Sequence, residues 1–234
     1  MRAINASAMR QYNRRMLLNE IRRQPVSRAE LAERTHLTRA SVTQIIEELI
    51  GEGLVVEGAS VERSRLGRRS TLLNINPSAG AILGVNLSRG QCDVGAVDLL
   101  GTVLRHRTLP VSGRSAAELL DEIAEHLAGL RGALAEEGLR VFAAGFCAPG
   151  PLEPRTGQML NPPNFEAWHG VNVVQALRGR LDLPVYLENV ANAHALAEKY
   201  FGVAADAEKP DLVISDIRDI VPWLDEINPE LAPK

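Results

Sequence analysis

The stretch LPVYLENVANAHALAEKYFG, residues 183–202, decides how most of this chain is read. Its apolar opening, LPVYL, fits a strand. That strand delivers Glu188 and Asn189 to the point where a helical segment starts, and strand ends that carry polar side chains into a turn are favoured ligand positions in α/β domains. The next residue is Val190, which can neither donate, accept nor titrate. A catalytic site, a binding site and ordinary packing are all open from these residues alone.

Working back from this stretch, the segments 81–87, 91–99 and 102–107 read as three short strands, the last two joined by a tight turn at 98–101. A long helix follows Ser115, whose partner Glu118 three positions on makes a capping box, and runs to about Glu137. RVFAAGFCAPG (140–150) is a buried strand entering a Pro-Gly-Pro turn, and NPPNFEAW (161–168) is a loop. A helix at 171–181, the strand LPVYL and a helix at 191–201 complete the pattern. A β-meander followed by α/β alternation implies an α/β domain with a mixed sheet. NPSAG (76–80) punctuates the chain and sets its lower boundary.

The first 76 residues have a different character. Residues 13–23 place Met16, Leu17, Ile21 and nearby Leu18 on one helical stripe that ends before Pro25. Ser27 and Glu30 form a capping box for a helix over 27–35. After His36-Leu37-Thr38, a helix over 39–53 has Val42, Ile45, Ile46 and Leu49 at i, i+3, i+4 and i+7. Small Ala32 early in the second helix and apolar Val42 ten positions on are the spacing of a helix-turn-helix. His36 stands where the tight turn usually takes glycine, and histidine is among the types that visit left-handed backbone.

With that stripe inward, Arg39, Ser41, Thr43 and Gln44 face outward at the start of the third helix, where base edges and phosphates call for arginine and short polar groups. Two strands at 54–58 and 70–76 then enclose a loop carrying Arg63, Arg65, Arg68 and Arg69 around Gly67. A β-ribbon with a basic tip beside a helix-turn-helix is a winged helix, whose arginines can enter a minor groove.

Charge supports the division. Residues 1–76 hold 13 Arg and 8 Glu, a balance of +5; the remainder holds 13 Lys+Arg against 21 Asp+Glu, or −8, and the two sum to the net −3. A basic module on an acidic body points to a polyanion partner for the first part only. A chain 45% hydrophobic and 24% charged is globular. Cys92 and Cys147 are too far apart for a Cys-x-x-Cys pair, no signal peptide opens the sequence, and no apolar run is long enough to span a bilayer. A reducing cytoplasm is the expected setting, without a membrane partner.

GVNLSRGQCDVGAVDLLGTVL, GFCAPGPLE, NPPNFEAW and LPVYLENVANAHALAEKYFG, in this order, resemble the N-terminal lobe of the ROK family (repressor, ORF, kinase). The family groups bacterial sugar kinases with sugar-responsive repressors on an actin-like fold. The resemblance covers about residues 10–202 and is to the xylose and N-acetylglucosamine repressor type, which carries an N-terminal winged helix. It implies that Asn164 and Asn189 hydrogen-bond sugar hydroxyls, with Gly150 allowing close backbone approach. Helix capping by Asn189 and a loop role for Asn164 are the alternatives.

Departures from the kinase pattern bear on activity. The kinases open with Asp and a Gly-Gly-Thr turn that cradles phosphates; here the stretch reads Asn86-Leu87-Ser88-Arg89-Gly90. Where they have the Asp that deprotonates the sugar hydroxyl, this chain has Val190. General base catalysis needs a titratable group within reach, and Glu188 lies two positions back. The expected architecture is thus a winged helix-turn-helix over residues 1–76, then an α/β domain with a mixed sheet, an actin-like sugar-kinase-like N-terminal lobe, over 77–202. Residues 203–234 are an unassigned tail, a replacement, a frameshifted end or a cut boundary, in which no second-lobe motif and no cysteine is found. The expected function is a non-enzymatic transcription regulator, a repressor of carbohydrate metabolism, with no cofactor and no metal. Its partners would be double-stranded operator DNA and a small sugar effector, with a homodimer left open. A sugar kinase and a DNA-binding relic without ligand response are the rivals.

Overall fold

The computed structural model describes residues 6–61 and 70–202. In the first part, α1 (Ala6–Arg23), α2 (Arg28–Thr35) and α3 (Arg39–Gly51) stand beside a small antiparallel sheet of β1 (Val26–Ser27), β2 (Val55–Val61) and β3 (Ser70–Ile75), in the order β1-β3-β2. One core holds them together. Leu17, Leu31, Val42, Ile46, Leu49 and Leu73 have no exposed surface, and Ala32 packs against the same cluster.

The local chemistry explains each joint. The Ser27 side chain accepts from the Glu30 N–H, and the Glu30 carboxylate accepts from the Ser27 N–H, so the box that starts α2 is closed on both sides. His36 ends α2 at φ 56°, the left-handed conformation the turn requires. Thr38 then caps α3 by accepting from the Ser41 N–H.

Three features differ from the sequence reading, the first being that β2 runs on to Val61 instead of ending at residue 58. Helix α1 begins at Ala6 instead of residue 13, because residues 7–12 are exposed and have no apolar periodicity to reveal them. Strand β1 is only two residues, paired Val26↔Leu73 and Ser27↔Leu72, and it ties the helix-turn-helix to the wing.

The second part is built on a five-stranded sheet in the order β10-β7-β4-β5-β6. The strands are β4 (Ala81–Leu87), β5 (Gln91–Asp98), β6 (Val103–Pro110), β7 (Val141–Ala148) and β10 (Val185–Asn189). Strands β10, β7 and β4 run parallel, and β5 and β6 continue antiparallel as the meander. The Asp98 carboxylate makes the β5–β6 turn by accepting from the N–H groups of Leu100 and Thr102.

Helices α4 (Ala116–Glu136) and α5 (Val173–Leu181) supply buried Leu119, Ile123, Leu127, Leu177 and Leu181 to a core shared with Leu83, Val85, Leu87 and Phe146 of the sheet. Trp168 belongs to this core, its ring centroid 6.1 Å from that of Phe146. A two-residue hairpin, β8 (Leu152–Glu153) with β9 (Gln158–Met159), fills the connection after β7 and was not legible beforehand. The last helix, α6 (Val190–Phe201), has no buried residue. Among the described residues no helix is long and apolar enough to cross a membrane.

Candidate functional site

Two places gather the polar residues singled out in the sequence. The first is the outer surface of α3. Burial of Val42, Ile45, Ile46 and Leu49 turns Arg39, Ala40 and Gln44 fully outward, with Ser41 and Thr43 half exposed. Ser41 has a local duty as well, since its hydroxyl lies 2.9 Å from that of Thr38 at the cap. Thr38, overlooked as part of the turn, is what fixes the angle at which this surface starts.

Farther along, Glu48 and Glu52 are not free acidic groups facing a polyanion. Arg10 pairs with Glu48, and Arg14 with Glu52 at 2.6 Å, so α1 offsets these two charges and ties itself to the distal end of α3. The Arg14 hydrogen bond holds the Glu52 carboxyl below its ordinary range. The positive end of the α3 dipole and Arg39 are left at the near end, which suits phosphate. The wing arginines Arg63, Arg65, Arg68 and Arg69 lie outside the described residues.

The second place is the end of β10. Asn189 is the last residue of that strand and the N-cap of α6, where its side-chain oxygen accepts from the Ala191 N–H at 2.8 Å. Its amide nitrogen lies over Gly150, so close that a Cβ there would stand 2.7 Å away. Gly150 and Asn189 are therefore brought together by the parallel pairing of β7 and β10, with Ala148 opposite Asn189.

The Glu188 carboxylate next door is already engaged, accepting from the Asn189 N–H at 2.7 Å and the Asn192 amide at 3.0 Å. Val190, the first residue of α6, adds no polar group. Asn164 is exposed on its loop with φ 62°, a left-handed conformation that asparagine tolerates, and it has no hydrogen bond to Gly150 or Asn189. His169, exposed on that loop, has its Nε2 3.1 Å from the Pro162 carbonyl.

Across the sheet, Glu188, Cys147, Asn86 and Asp93 occupy one row by strand register. The Asn86 side-chain oxygen is buried without a hydrogen-bond partner among the described residues. Among those residues no group of three or more His, Cys, Asp or Glu could hold a metal ion.

Comparison with known proteins gives two family matches: residues 82–214 to the ROK family, running past residue 202 where the readable motifs stop, and residues 11–70 to the MarR family. The chain is 31% identical over 208 residues to the xylose repressor of Caldicellulosiruptor bescii, covering 85% of this chain and 50% of that protein. It is 31% identical over 195 residues to the DNA-binding transcriptional dual regulator NagC of Escherichia coli, covering 81% of this chain and 46% of that one. A crystal structure of a ROK family transcriptional regulator, described as a homologue of the E. coli MLC protein, matches with a TM-score of 0.67 at 26% identity, over 82% of this chain and 49% of the other. The chain thus spans about half the length of the relatives it matches.

Proposed function

Because the chain belongs to the ROK family and carries a MarR-like winged helix-turn-helix ahead of the ROK domain, we propose that it is a sequence-specific DNA-binding transcription regulator, a repressor of carbohydrate genes. Residues 1–76 bind the operator, and the lobe over 77–202 senses a small sugar without phosphorylating it. The observation that carries the DNA reading is the outer surface of α3. Arg39, Ser41, Thr43 and Gln44 lie at its capped start, and Glu48 and Glu52 toward its far end are paired with Arg10 and Arg14 of α1. Relatives named as xylose and N-acetylglucosamine repressors support both the regulatory role and the sugar class.

The sugar reading rests on Gly150 and Asn189. The Asn189 oxygen is committed to capping α6, but its amide nitrogen faces the space over Gly150 with no hydrogen-bond partner among the described residues. A donor held in place by its own helix cap is preorganised for a hydroxyl oxygen. Asn164, on the loop after β9, is included on the family resemblance. Calorimetric titration with D-xylose and N-acetylglucosamine tests this. Asn189→Ala should weaken binding about 2- to 13-fold, the equivalent of one hydrogen bond of about 0.5–1.5 kcal/mol. Equal affinity in both proteins would leave Asn189 as a helix cap only.

Catalysis is not part of the proposal, for a reason written in the residues. Val190 cannot accept a proton. The neighbouring carboxylate is held by two donors. No ATP-dependent sugar phosphorylation is expected from the chain, nor from Val190→Asp. Restoring a base would leave Leu87 and Arg89 where the kinases cradle phosphate, and positioning carries most of phosphoryl-transfer catalysis. Radiolabelled product from the unmodified chain would make it a kinase.

A further inference from the structure

Helix α6 begins at the candidate sugar site and ends on the DNA-binding module. Its first residue follows Asn189, and its last turn, ten residues on at Tyr200, meets α1. There the Arg22 guanidinium donates to the Tyr200 carbonyl at 3.1 Å and stacks over the rings of Tyr200 and Phe201, at 4.2 and 4.8 Å from their centroids. The second terminal nitrogen of Arg22 is buried and has no hydrogen-bond partner among the described residues. Burial pulls the Arg22 pKa below its ordinary value, which fits a cation withdrawn from water. Phe201 also packs beside Gly101 in the β5–β6 turn, where even a methyl group would come within 2.8 Å of the ring.

Between these ends the helix is loosely held. None of its residues is buried, whereas α4 buries seven. A helix held mainly at its termini, with no buried residue along its length, can move as a rigid rod, here about 18 Å long. On the far side of Arg22, α1 is tied to α3 through Arg10–Glu48 and Arg14–Glu52.

We propose that α6 is the coupling element of the protein. Contact with a ligand at Gly150 and Asn189 shifts the helix, and the clamp of Tyr200 and Phe201 on Arg22 passes that shift through α1 to α3. Arg22 is a positioning residue in this scheme, since it touches neither sugar nor DNA. The scheme rests on the sugar-responsive reading above, but the linkage between α6 and the DNA-binding module can be measured without any sugar. Coupling between two sites is reciprocal, so DNA binding must be felt at α6.

The test uses the full chain and a duplex selected from a random library by the parent protein. Hydrogen exchange of the amides of residues 198–202 is followed with and without DNA, in the parent, Arg22→Ala and Arg22→Lys. In the parent, DNA should change exchange of this last turn by at least about fivefold. In Arg22→Ala the change should fall below about twofold, with DNA affinity within about threefold of the parent. Arg22→Lys keeps the charge but loses the flat stack, and should behave like the alanine variant. If Arg22→Ala is poorly folded by circular dichroism, the lysine variant decides. An unchanged last turn in the parent, or the same response in parent and variants, would overturn the proposal. D-Xylose and N-acetylglucosamine added to the parent–DNA complex form a separate arm. No effect of either sugar with the exchange response intact would sink the sugar reading and leave the linkage standing. A sugar effect on DNA affinity that survives in Arg22→Ala would mean that coupling takes another route.

Discussion

Gly80→Ala should destabilise the chain by about 2–6 kcal/mol, as the sum of two separate costs. The residue has φ 157° and ψ −166°, a combination essentially confined to glycine, and holding another residue there costs about 1–3 kcal/mol. An added Cβ would also stand 2.1 Å from the Arg140 carbonyl oxygen and 2.6 Å from the Phe142 ring. The carbonyl cannot retreat, because it accepts the Ala81 N–H at 2.8 Å and so holds the start of β4 against the entry to β7. Overpacking of this kind costs about 1–3 kcal/mol more. Against a typical total of about 5–15 kcal/mol, the variant should melt far earlier than the parent. Urea unfolding measures it directly, and a loss below about 1 kcal/mol would mean that the backbone relaxes around the methyl group.

Arg68→Ala combined with Arg69→Ala should weaken DNA binding for all sequences alike. Each phosphate contact contributes about −0.9 to the slope of log affinity against log salt, so removing two should make that slope shallower by about 1.8. Gln44→Ala should behave differently, costing about 1–3 kcal/mol at one base pair and little elsewhere, because base contacts specify and phosphate contacts position. Titrations at several salt concentrations separate the two effects. An unchanged slope in the double variant would remove the wing from the interface.

Much of this architecture could be read from sequence because its signals are local. The capping boxes at Ser27–Glu30 and Ser115–Glu118 each lie within four residues, and both close as expected. The stripe through Val42, Ile45, Ile46 and Leu49 is a periodicity that burial reproduces. His36 could be placed in left-handed backbone because few residue types go there. Features without a local signal were missed. The first turns of α1 face solvent, and β1 is defined only by pairing with Leu72 and Leu73, more than forty positions on. Arg22 and Tyr200 are 178 residues apart, and no pattern near either announces the other.

The candidate sites divide in the same way. Position in the strand-to-helix stretch drew attention to Glu188 and Asn189, the resemblance implied a sugar role for Asn189, and the pairing of β7 with β10 explains why Gly150 lies against it. That the Asn189 oxygen caps α6 while its amide nitrogen is turned over Gly150 is visible only in the folded chain, and it is what the proposed ligand donor rests on. Asn164 remains a reading from resemblance, carried by a loop whose left-handed turn gives that asparagine a structural duty of its own.

The central claim is that residues 1–76 read DNA sequence. The most direct measurement compares affinity for a duplex selected by the chain from a random library with affinity for its scrambled counterpart, both at 150 mM salt on the order of physiological ionic strength. Sequence-specific binding predicts a preference of at least about 10³-fold for the selected duplex. Equal affinity for the two would contradict the account, since it would reduce α3 and the wing to a basic surface that holds polyanions without reading them.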